Sequence, residues 1–392
     1  MRPLIAAQTL TQTDVSQTKL ARLVLTNYRC YSSLRLSLDS SCVVFVGPNG
    51  AGKTNILEAI SLLVPGRGFR KAKLSEMTNI QSVSRQWGVA AGIDTAYGRL
   101  DIGTALELSL EGNEKRAVKI DGERALTQSQ LYEVISVIWL TPQMEKIFNE
   151  GPSSRRKFLD KIICSVSASH SKHLYRYEHA MRERSKLLRS GRADANWLDT
   201  LEETMATQAT AITSMRHLMV EKLSTLSEQS VGVFPKARVN LLGSLNCASH
   251  SALEAEDNLR ELLKKSRKKD AESGGASYGP HLSDVQVWHI DKNMPANFCS
   301  TGEQKALLIT LILANVRLHI LERGAMPILL LDEVAAHLDE VRRKALFDEI
   351  DEIGVQSFLT GTHRESFEAL DKKAQFFWVE NAKVQEQDFS VQ

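Results

Sequence analysis

Apolar and polar residues begin to alternate at Leu20. The stretch ARLVLTNYRCYSSLRLSL (21–38) reads as two strands about an N-Y-R turn, and SSCVVFV (40–46) as a fully buried strand. The period changes after GPNGAGKT (47–54). Apolar positions in NILEAISLLV (55–64) recur at helical spacing until Pro65 and Gly66 mark the end. Short strands return between 85 and 125 in WGVAAGI, RLDIGTALELSL and RAVKIDG, with turn signals at Gly112-Asn113 and Asp121-Gly122. VISVIWL (134–140) is another buried-strand candidate. From about 153 to 230 the chain is rich in Glu, Lys, Arg, Leu and Ala, with few breakers, which predicts helices. Residues 236–250, with ARVNLLGSLN, are strand-like, and KKSRKKDAESGGASYG (264–279) reads as a charged connection. The sheet is expected to resume with VQVWHI (285–290), a helix after Gly302, PILLLDE (327–333) and VQSFLTGTH (355–363). No repeat is visible, and no heptad pattern is sustained. The expectation is an α/β sheet domain split by a mainly helical insertion. Its parts would be a disordered extension at 1–19, a first sheet lobe at 20–150, the inserted lobe at 151–280 and the second part of the sheet lobe at 281–392.

Composition adds limits. The chain has 392 residues, 43% of them apolar and 24% charged, which is ordinary for a globular protein. A net charge of +2 says nothing about partners, so any nucleic-acid site must come from local clusters of Lys and Arg. The five cysteines form no C-x-x-C pair and are odd in number, which favours a reduced, cytoplasmic protein without a disulfide framework or zinc knuckle. The N-terminal residues lack the apolar core of a secretory signal, and ALLITLILANV (306–316) is too short to span a bilayer, so a membrane partner is not expected.

The chemistry is concentrated in two phrases. GPNGAGKT fits G-x-x-x-x-G-K-[ST] at each fixed position, between a buried strand and a helix. Gly47, Pro48, Asn49, Gly50, Ala51 and Gly52 would curl so that backbone N–H groups and the helix N-terminus face phosphate oxygens. Lys53 would reach the β- and γ-phosphates of ATP, and Thr54 would give its hydroxyl to Mg²⁺. ILLLDE supplies the complement. Asp332 would hold the Mg²⁺, and Glu333 would be the general base for the attacking water. CSTGEQK (299–305) opens an apolar helix with S-x-G-x-Q, which is also a capping box.

That last phrase resembles the signature motif of the ABC ATPases. The resemblance implies that Ser300, Gly302 and the helix N-terminus touch the γ-phosphate of a nucleotide held by a second subunit. AAHLD (335–339) is placed like the D-loop, with Asp339 toward the partner. His363 is placed like the γ-phosphate-sensing histidine, and Gln143 like the Q-loop glutamine that couples Mg²⁺ to the second lobe. Roughly 245 residues separate Thr54 from Ser300, too many for a transporter head and too few for the long coiled coils of SMC proteins. That length matches the RecF family. LVLTNYRCYSSLRLSL resembles its opening, VIWLTPQMEKIFNEGPSSRRKFLDKI its most recognisable internal stretch, and YGPHLSDV its G-P-H-R-D-D-L segment. Here the basic residue after His281 is missing, Ser283 stands where an Asp is usual, and Lys305 replaces an arginine of the signature.

The resemblance implies an ABC-type ATPase head that dimerises on ATP, binds single-stranded, double-stranded and gapped DNA as a dimer, and hydrolyses slowly. It implies work with RecO and RecR to load RecA in DNA repair, replication restart and the SOS response. The alternative is an ABC ATPase that energises a non-DNA protein or membrane partner. Two basic clusters are DNA candidates: Arg67, Arg70, Lys71 and Lys73 after the phosphate-loop helix, and Lys264, Lys265, Arg267, Lys268 and Lys269.

Overall fold

The computed structural model describes residues 17–108, 113–191, 194–229, 232–243, 251–336 and 338–387. In chain order the elements begin with β1 (Lys19–Tyr28), β2 (Tyr31–Ser37), β3 (Cys42–Val46) and α1 (Lys53–Ser61). Four strands follow, β4 (Gly88–Thr95), β5 (Gly98–Leu108), β6 (Glu114–Ile120) and β7 (Glu123–Arg124), then α2 (Leu131–Val134) and β8 (Val137–Leu140). Next come α3 (Pro152–Val166), α4 (Ala168–Arg189), α5 (Ala195–Glu228), β9 (Ala237–Leu242) and α6 (Ala252–Ser273). The chain continues with β10 (Asp284–His289), β11 (Met294–Pro295), α7 (Thr301–Arg323), β12 (Ile328–Leu331) and α8 (Glu340–Ile353). It closes with β13 (Ser357–Gly361), β14 (Ala374–Glu380) and β15 (Lys383–Gln387).

Two compact units result. One runs up to Pro142 and resumes at His319; the other is Gln143–Leu318. The first holds two six-stranded sheets. An antiparallel sheet has the order β2-β1-β4-β5-β6-β7, and a mainly parallel one the order β15-β14-β3-β13-β12-β8. Side chains of both sheets and of α1 share one apolar core, including Leu23, Ile56, Leu57, Leu330 and Phe358. The parallel strands β3, β12 and β13 are buried almost throughout, which is why their sequences read as unbroken apolar runs rather than alternations. β3 is central, between β13 and β14, so the loop that follows it emerges between neighbouring strand ends.

The turn chemistry acts as expected. Asp121 and Gly122 both have positive φ (50° and 83°) and join β6 to β7, where Ile120 pairs with Glu123. The N-Y-R turn joins β1 to β2 through the pair Tyr28 and Tyr31, with Asn27 and Arg29 at positive φ.

The second unit contains α3 to α6, the small sheet β11-β10-β9 and the start of α7. Several expectations need correction here. The division falls at 143 and 318 rather than at 151 and 280, so the signature phrase lies in the helical unit and not with Asp332. VQVWHI does not rejoin the nucleotide sheet. As β10 it pairs antiparallel with β9, a partner that periodicity alone could not reveal. Residues 264–273 are helix, not connection. A capping box at Ser251 and Glu254 starts α6, Gly274 at φ 76° ends it, and Ala255, Leu259, Leu263, Ser266 and Asp270 are its buried stripe, hidden in the sequence among charges. VISVIWL is strand only from Val137, since Val134 closes α2. The apolar run 306–316 belongs to a 23-residue helix that by length and composition could cross a membrane; its most apolar window is 83% buried, as in a core helix. β1 begins at Lys19, inside the expected extension. The rest of that extension up to residue 16, and Gly112, lie outside the described residues.

Candidate nucleotide site

The phosphate loop joins β3 to α1. Gly47 is obligatory because the Val379 carbonyl oxygen of β14 lies 2.0 Å from where a Cβ would sit. Gly52, at φ 116°, is crowded by Tyr31 Oη and Cys30 Sγ of the β1–β2 hairpin, 2.5 and 2.8 Å from its Cβ position. Pro48, Asn49 and Gly50 are exposed, whereas Ala51, Gly52 and Lys53 are buried. Lys53 Nζ donates to the carbonyls of Gly47 and Pro48 at 2.6 and 2.8 Å, so the ammonium is folded back over the loop. Burial pushes its pKa down, while Glu333 and Asp332 oppose the shift.

Asp332 follows β12, and its side chain is already engaged. Thr54 Oγ1 donates to Asp332 Oδ1 at 2.9 Å, and Thr360 Oγ1 of β13 donates to the same oxygen at 2.8 Å. The Glu333 amide donates to Thr360 Oγ1 at 2.8 Å. One threonine thus meets the Asp332 carboxylate and the Glu333 backbone. The sequence reading missed Thr360; a hydroxyl near the end of the buried strand SFLTG was the available signal. Burial pushes the Asp332 carboxyl up, and the two hydroxyl hydrogen bonds and Arg70 only partly offset this. Glu333 has φ 51°, in the left-handed region that non-glycine residues avoid, and strain of that kind concentrates at working sites.

The donor set fits magnesium. Thr54 Oγ1 and Asp332 Oδ1 are hard oxygens at one point, and a small cation that keeps waters and phosphate ligands needs only one or two such groups. Among the described residues, no group of three or more His, Cys, Asp and Glu could hold a metal.

The second unit carries the signature phrase. Ser300 is exposed, and its amide and hydroxyl both donate to Glu303 Oε2 at 2.9 Å. Glu303 is also held by Lys292, and these contacts lower its pKa to about 2. Gly302 is exposed in the first turn of α7, and nothing lies within 4 Å of its Cβ position. A helical glycine costs about 0.5–1 kcal/mol relative to alanine. No neighbour among the described residues requires it, which leaves room for something outside. Gln304 is buried, donates to the Cys299 carbonyl at 3.1 Å and accepts from Asn149 Nδ2 at 2.9 Å.

The remaining candidates stand apart from these clusters. Asp339 is exposed and caps α8 by accepting from the Arg342 amide at 2.8 Å. His363 is exposed just after β13, and Gln143 is exposed in a 3-10 turn, Pro142–Lys146. The structure unites Lys53, Thr54, Asp332 and Glu333; Ser300, Gly302 and Gln143 lie in the other unit.

Comparison with known proteins agrees with this geometry. Residues 19–385 match the model of the RecF/RecN/SMC N-terminal domain. The DNA replication and repair protein RecF of Rhizobium etli is 43% identical over 368 residues, covering 93% of this chain and 98% of the relative. The chain belongs to the RecF family. Its fold is that of a RecF–ATP structure (TM-score 0.84, 24% identity, covering 96% of this chain and all of the other). The Smc head of Pyrococcus furiosus is a more distant neighbour (TM-score 0.55, 17% identity, covering 94% and 96%). The fold is therefore the ABC-type ATPase head with a mainly helical second unit.

The RecF-like phrases acquire a structural meaning. Arg155 grips Asp284 with two hydrogen bonds of 2.8 Å, and Arg156 donates to the Ser283 carbonyl. Buried Arg216 of α5 binds both Asp160 oxygens at 2.8 and 2.7 Å and reaches the Pro280 carbonyl and Ser283 Oγ. His170 Nε2 donates to Asp160 Oδ1 at 2.9 Å. Burial opposes ionisation of Asp160, yet His170 and Arg216 hold its carboxyl below the usual range. The phrases SSRRKFLD and GPHLSD are two sides of one polar clasp; Leu282 points out, 53% exposed.

The basic candidates separate. Arg67, Lys71 and Lys73 are exposed after α1. Arg70, also exposed, lies 3.6 Å from the buried Glu58, which Arg29 already grips at 2.8 and 2.7 Å. On α6, Arg267 is engaged by Glu202 and Asp199, and Lys264 lies 3.9 Å from Asp199; Lys265, Lys268 and Lys269 are exposed.

Proposed function

We propose that this protein is an ATP-gated DNA clamp whose slow, DNA-stimulated hydrolysis resets it. The observation that carries the reading is the contrast between a phosphate loop already wired to Asp332 through Thr54 and a signature helix where Ser300 bonds Glu303 of its own cap and, among the described residues, nothing lies within 4 Å of the Gly302 Cβ position. A helix N-terminus and a bare glycine suit an anion brought by a second molecule. ATP bound by Lys53 and Thr54 of one protomer would present its γ-phosphate to Ser300 and Gly302 of the other. Two copies would close on two nucleotides.

In that dimer the loop amides from Gly47 to Thr54 and Lys53 bind the phosphates. Thr54 and Asp332 hold Mg²⁺, which neutralises phosphate charge. Glu333, fixed by Thr360, takes the proton of the attacking water. His363 and Gln143 sense the γ-phosphate and the metal, and Asp339 faces the partner subunit. Cleavage removes the charge that the partner reads, so the dimer parts.

DNA is the partner that the family resemblance supports, held through phosphates by Arg67, Lys71 and Lys73, with Lys265, Lys268 and Lys269 as a second patch. Arg70 is better read as a brace for Glu58. RecO and RecR would be the protein partners, and RecA loading on gapped DNA the outcome.

Sedimentation velocity tests the reading, with and without ATP·Mg²⁺ and a short gapped duplex. The expected result is a monomer that becomes a DNA-bound dimer only with ATP. A mass indifferent to ATP, or a dimer that ignores DNA, would overturn it.

A further inference from the structure

A sulfur lies against the phosphate loop. Cys30, in the turn between β1 and β2, is exposed, and its Sγ accepts from Asn55 Nδ2 at 3.2 Å. The same sulfur is 2.8 Å from the point where Gly52 would carry a Cβ. Among the other described cysteines, Cys42 is partly buried and Cys164 and Cys299 are buried, and burial raises the pKa of all three thiols. Cys30 is thus the exposed thiol of the described set, and exposure is one of the conditions for oxidation. It belongs to the same unit as the loop.

A second group points into the same notch. Tyr31 is 1% exposed, and its Oη lies 2.5 Å from the Gly52 Cβ position. Among the described residues that buried hydroxyl meets no partner in hydrogen-bond geometry. Burial first, and the neighbouring Cys30 thiol second, hold its pKa well above the usual phenol value, so it stays an O–H donor at neutral pH. A buried donor without an acceptor is costly. The thiol sulfur beside it is a weak acceptor, whereas an oxygen carried on that sulfur would be a strong one. Asn55 supplies a second donor, and Arg70 holds its amide in place by donating to Asn55 Oδ1 at 2.9 Å.

We infer that Cys30 is a site of reversible oxidation by hydroperoxides, and that its sulfenic acid weakens nucleotide binding at the loop. The step balances. The Cys30 sulfur attacks one peroxide oxygen, an S–O bond forms and the O–O bond breaks. Sulfur gives up two electrons and the peroxide takes them; with hydrogen peroxide, the leaving oxygen collects the thiol proton and departs as water. The new oxygen accepts from Tyr31 Oη and Asn55 Nδ2, which gives the buried hydroxyl its missing partner. The free space between sulfur and hydroxyl is only what the absent Gly52 Cβ leaves, so Gly52 must yield. Gly52 is buried at φ 116°, its carbonyl accepts from the amides of Asn55 and Ile56 at 3.0 and 3.3 Å, and Lys53 follows it directly. A shift there disturbs the first turn of α1 and the aim of Lys53. The effect on nucleotide rests on the reading of this loop as the ATP site; the oxidation itself does not.

The test compares the full-length wild type with Cys30→Ser and Tyr31→Phe. Each is treated with hydrogen peroxide, sulfenic acid is trapped on a portion with dimedone, and the label is placed by peptide mass spectrometry. ATP affinity is measured by direct titration of reduced, oxidised and dithiothreitol-treated protein. Thermal melts identify any variant that fails to fold, in which case labelling and titration of wild type decide alone. The expected result is a label on Cys30, a wild-type ATP affinity that falls about tenfold on oxidation and returns with dithiothreitol, and a Cys30→Ser affinity that stays within about twofold throughout. Tyr31→Phe removes only the hydroxyl; it should bind ATP like wild type when reduced and accumulate less label. Folded wild type without label at Cys30 overturns the inference, as does an equal loss of affinity in oxidised Cys30→Ser. Equal label in Tyr31→Phe overturns the role given to the hydroxyl. Label at Cys30 with unchanged ATP affinity overturns the gating and leaves the nucleotide reading standing. A reduced wild type that binds no ATP removes the nucleotide reading, and the gating with it.

Discussion

The phosphate-loop half and the signature half of the candidate site differ in how far the chain satisfies them by itself. In the first half the ammonium, the hydroxyls and one acid have internal partners: Lys53 on the loop carbonyls and Thr54 and Thr360 on Asp332, while Thr360 also accepts from the Glu333 backbone amide. In the second half, the Ser300 hydroxyl and amide bond to Glu303 of its own cap, and among the described residues nothing lies within 4 Å of the Gly302 Cβ position. The first half is preorganised and can bind a ligand alone. Under the proposed clamp, the second is a surface for a ligand that a second protomer delivers. Under the proposed clamp, catalytic assembly is controlled by association, since each half supplies a different set of groups.

The comparison breaks hardest at the acids and the loop. Glu333→Gln should lower ATP turnover by about 10²–10⁴-fold while preserving, and even trapping, the ATP-bound dimer, as read by single-turnover assay and sedimentation. Lys53→Ala should abolish nucleotide binding in a direct titration, because it removes the charge that faces the phosphates. Ser300→Arg should do the reverse: nucleotide binding by the monomer within about twofold of wild type, and no ATP-dependent dimer. If both variants lost monomer binding equally, the two halves would not be separable and the contrast would fail.

A middle-sized effect is expected beneath the signature half. Asp160→Asn leaves Arg216 with half a partner and should cost about 3–5 kcal/mol of stability, seen as a lower denaturation midpoint. Since the folded-state pKa of Asp160 is depressed, its contribution is present at neutral pH and disappears as pH falls through the acidic range below its ordinary value. The stability difference between wild type and Asp160→Asn should therefore shrink at acid pH.

The smallest effect has the opposite sign. Asp332 is buried with its pKa raised, so its ionised form weakens the unliganded fold, increasingly so as pH rises through the raised value. Asp332→Asn should melt slightly higher than wild type without nucleotide, by roughly 2–4 °C for each kcal/mol gained. With ATP·Mg²⁺ the order should invert. A variant that melts lower in both conditions would show that Asp332 supports the fold and is not strained in readiness for a cation.

Much of this site was legible before any coordinates. GPNGAGKT and ILLLDE are local signals, because a loop that wraps a phosphate and a strand that ends in acids each need only a few adjacent residues of defined type. The Asp121-Gly122 turn and the long helices of 153–230 were legible for the same reason. What eluded the sequence was pairing at a distance. Thr360 bonds a residue 28 positions away, Asn149 one 155 away, and β10 takes β9 rather than a strand of the nucleotide sheet. The charges of 264–269 hid a buried helical stripe, and Arg70 looked free until Glu58 appeared beside it. The sequence by itself determined the chemistry on offer, since residue type and short spacing fix which groups can meet a phosphate or a cation. Only the tertiary structure decided which of those groups are already held and which still face outward. Hydrogen bonds and burial depend on partners that the fold brings in from far along the chain.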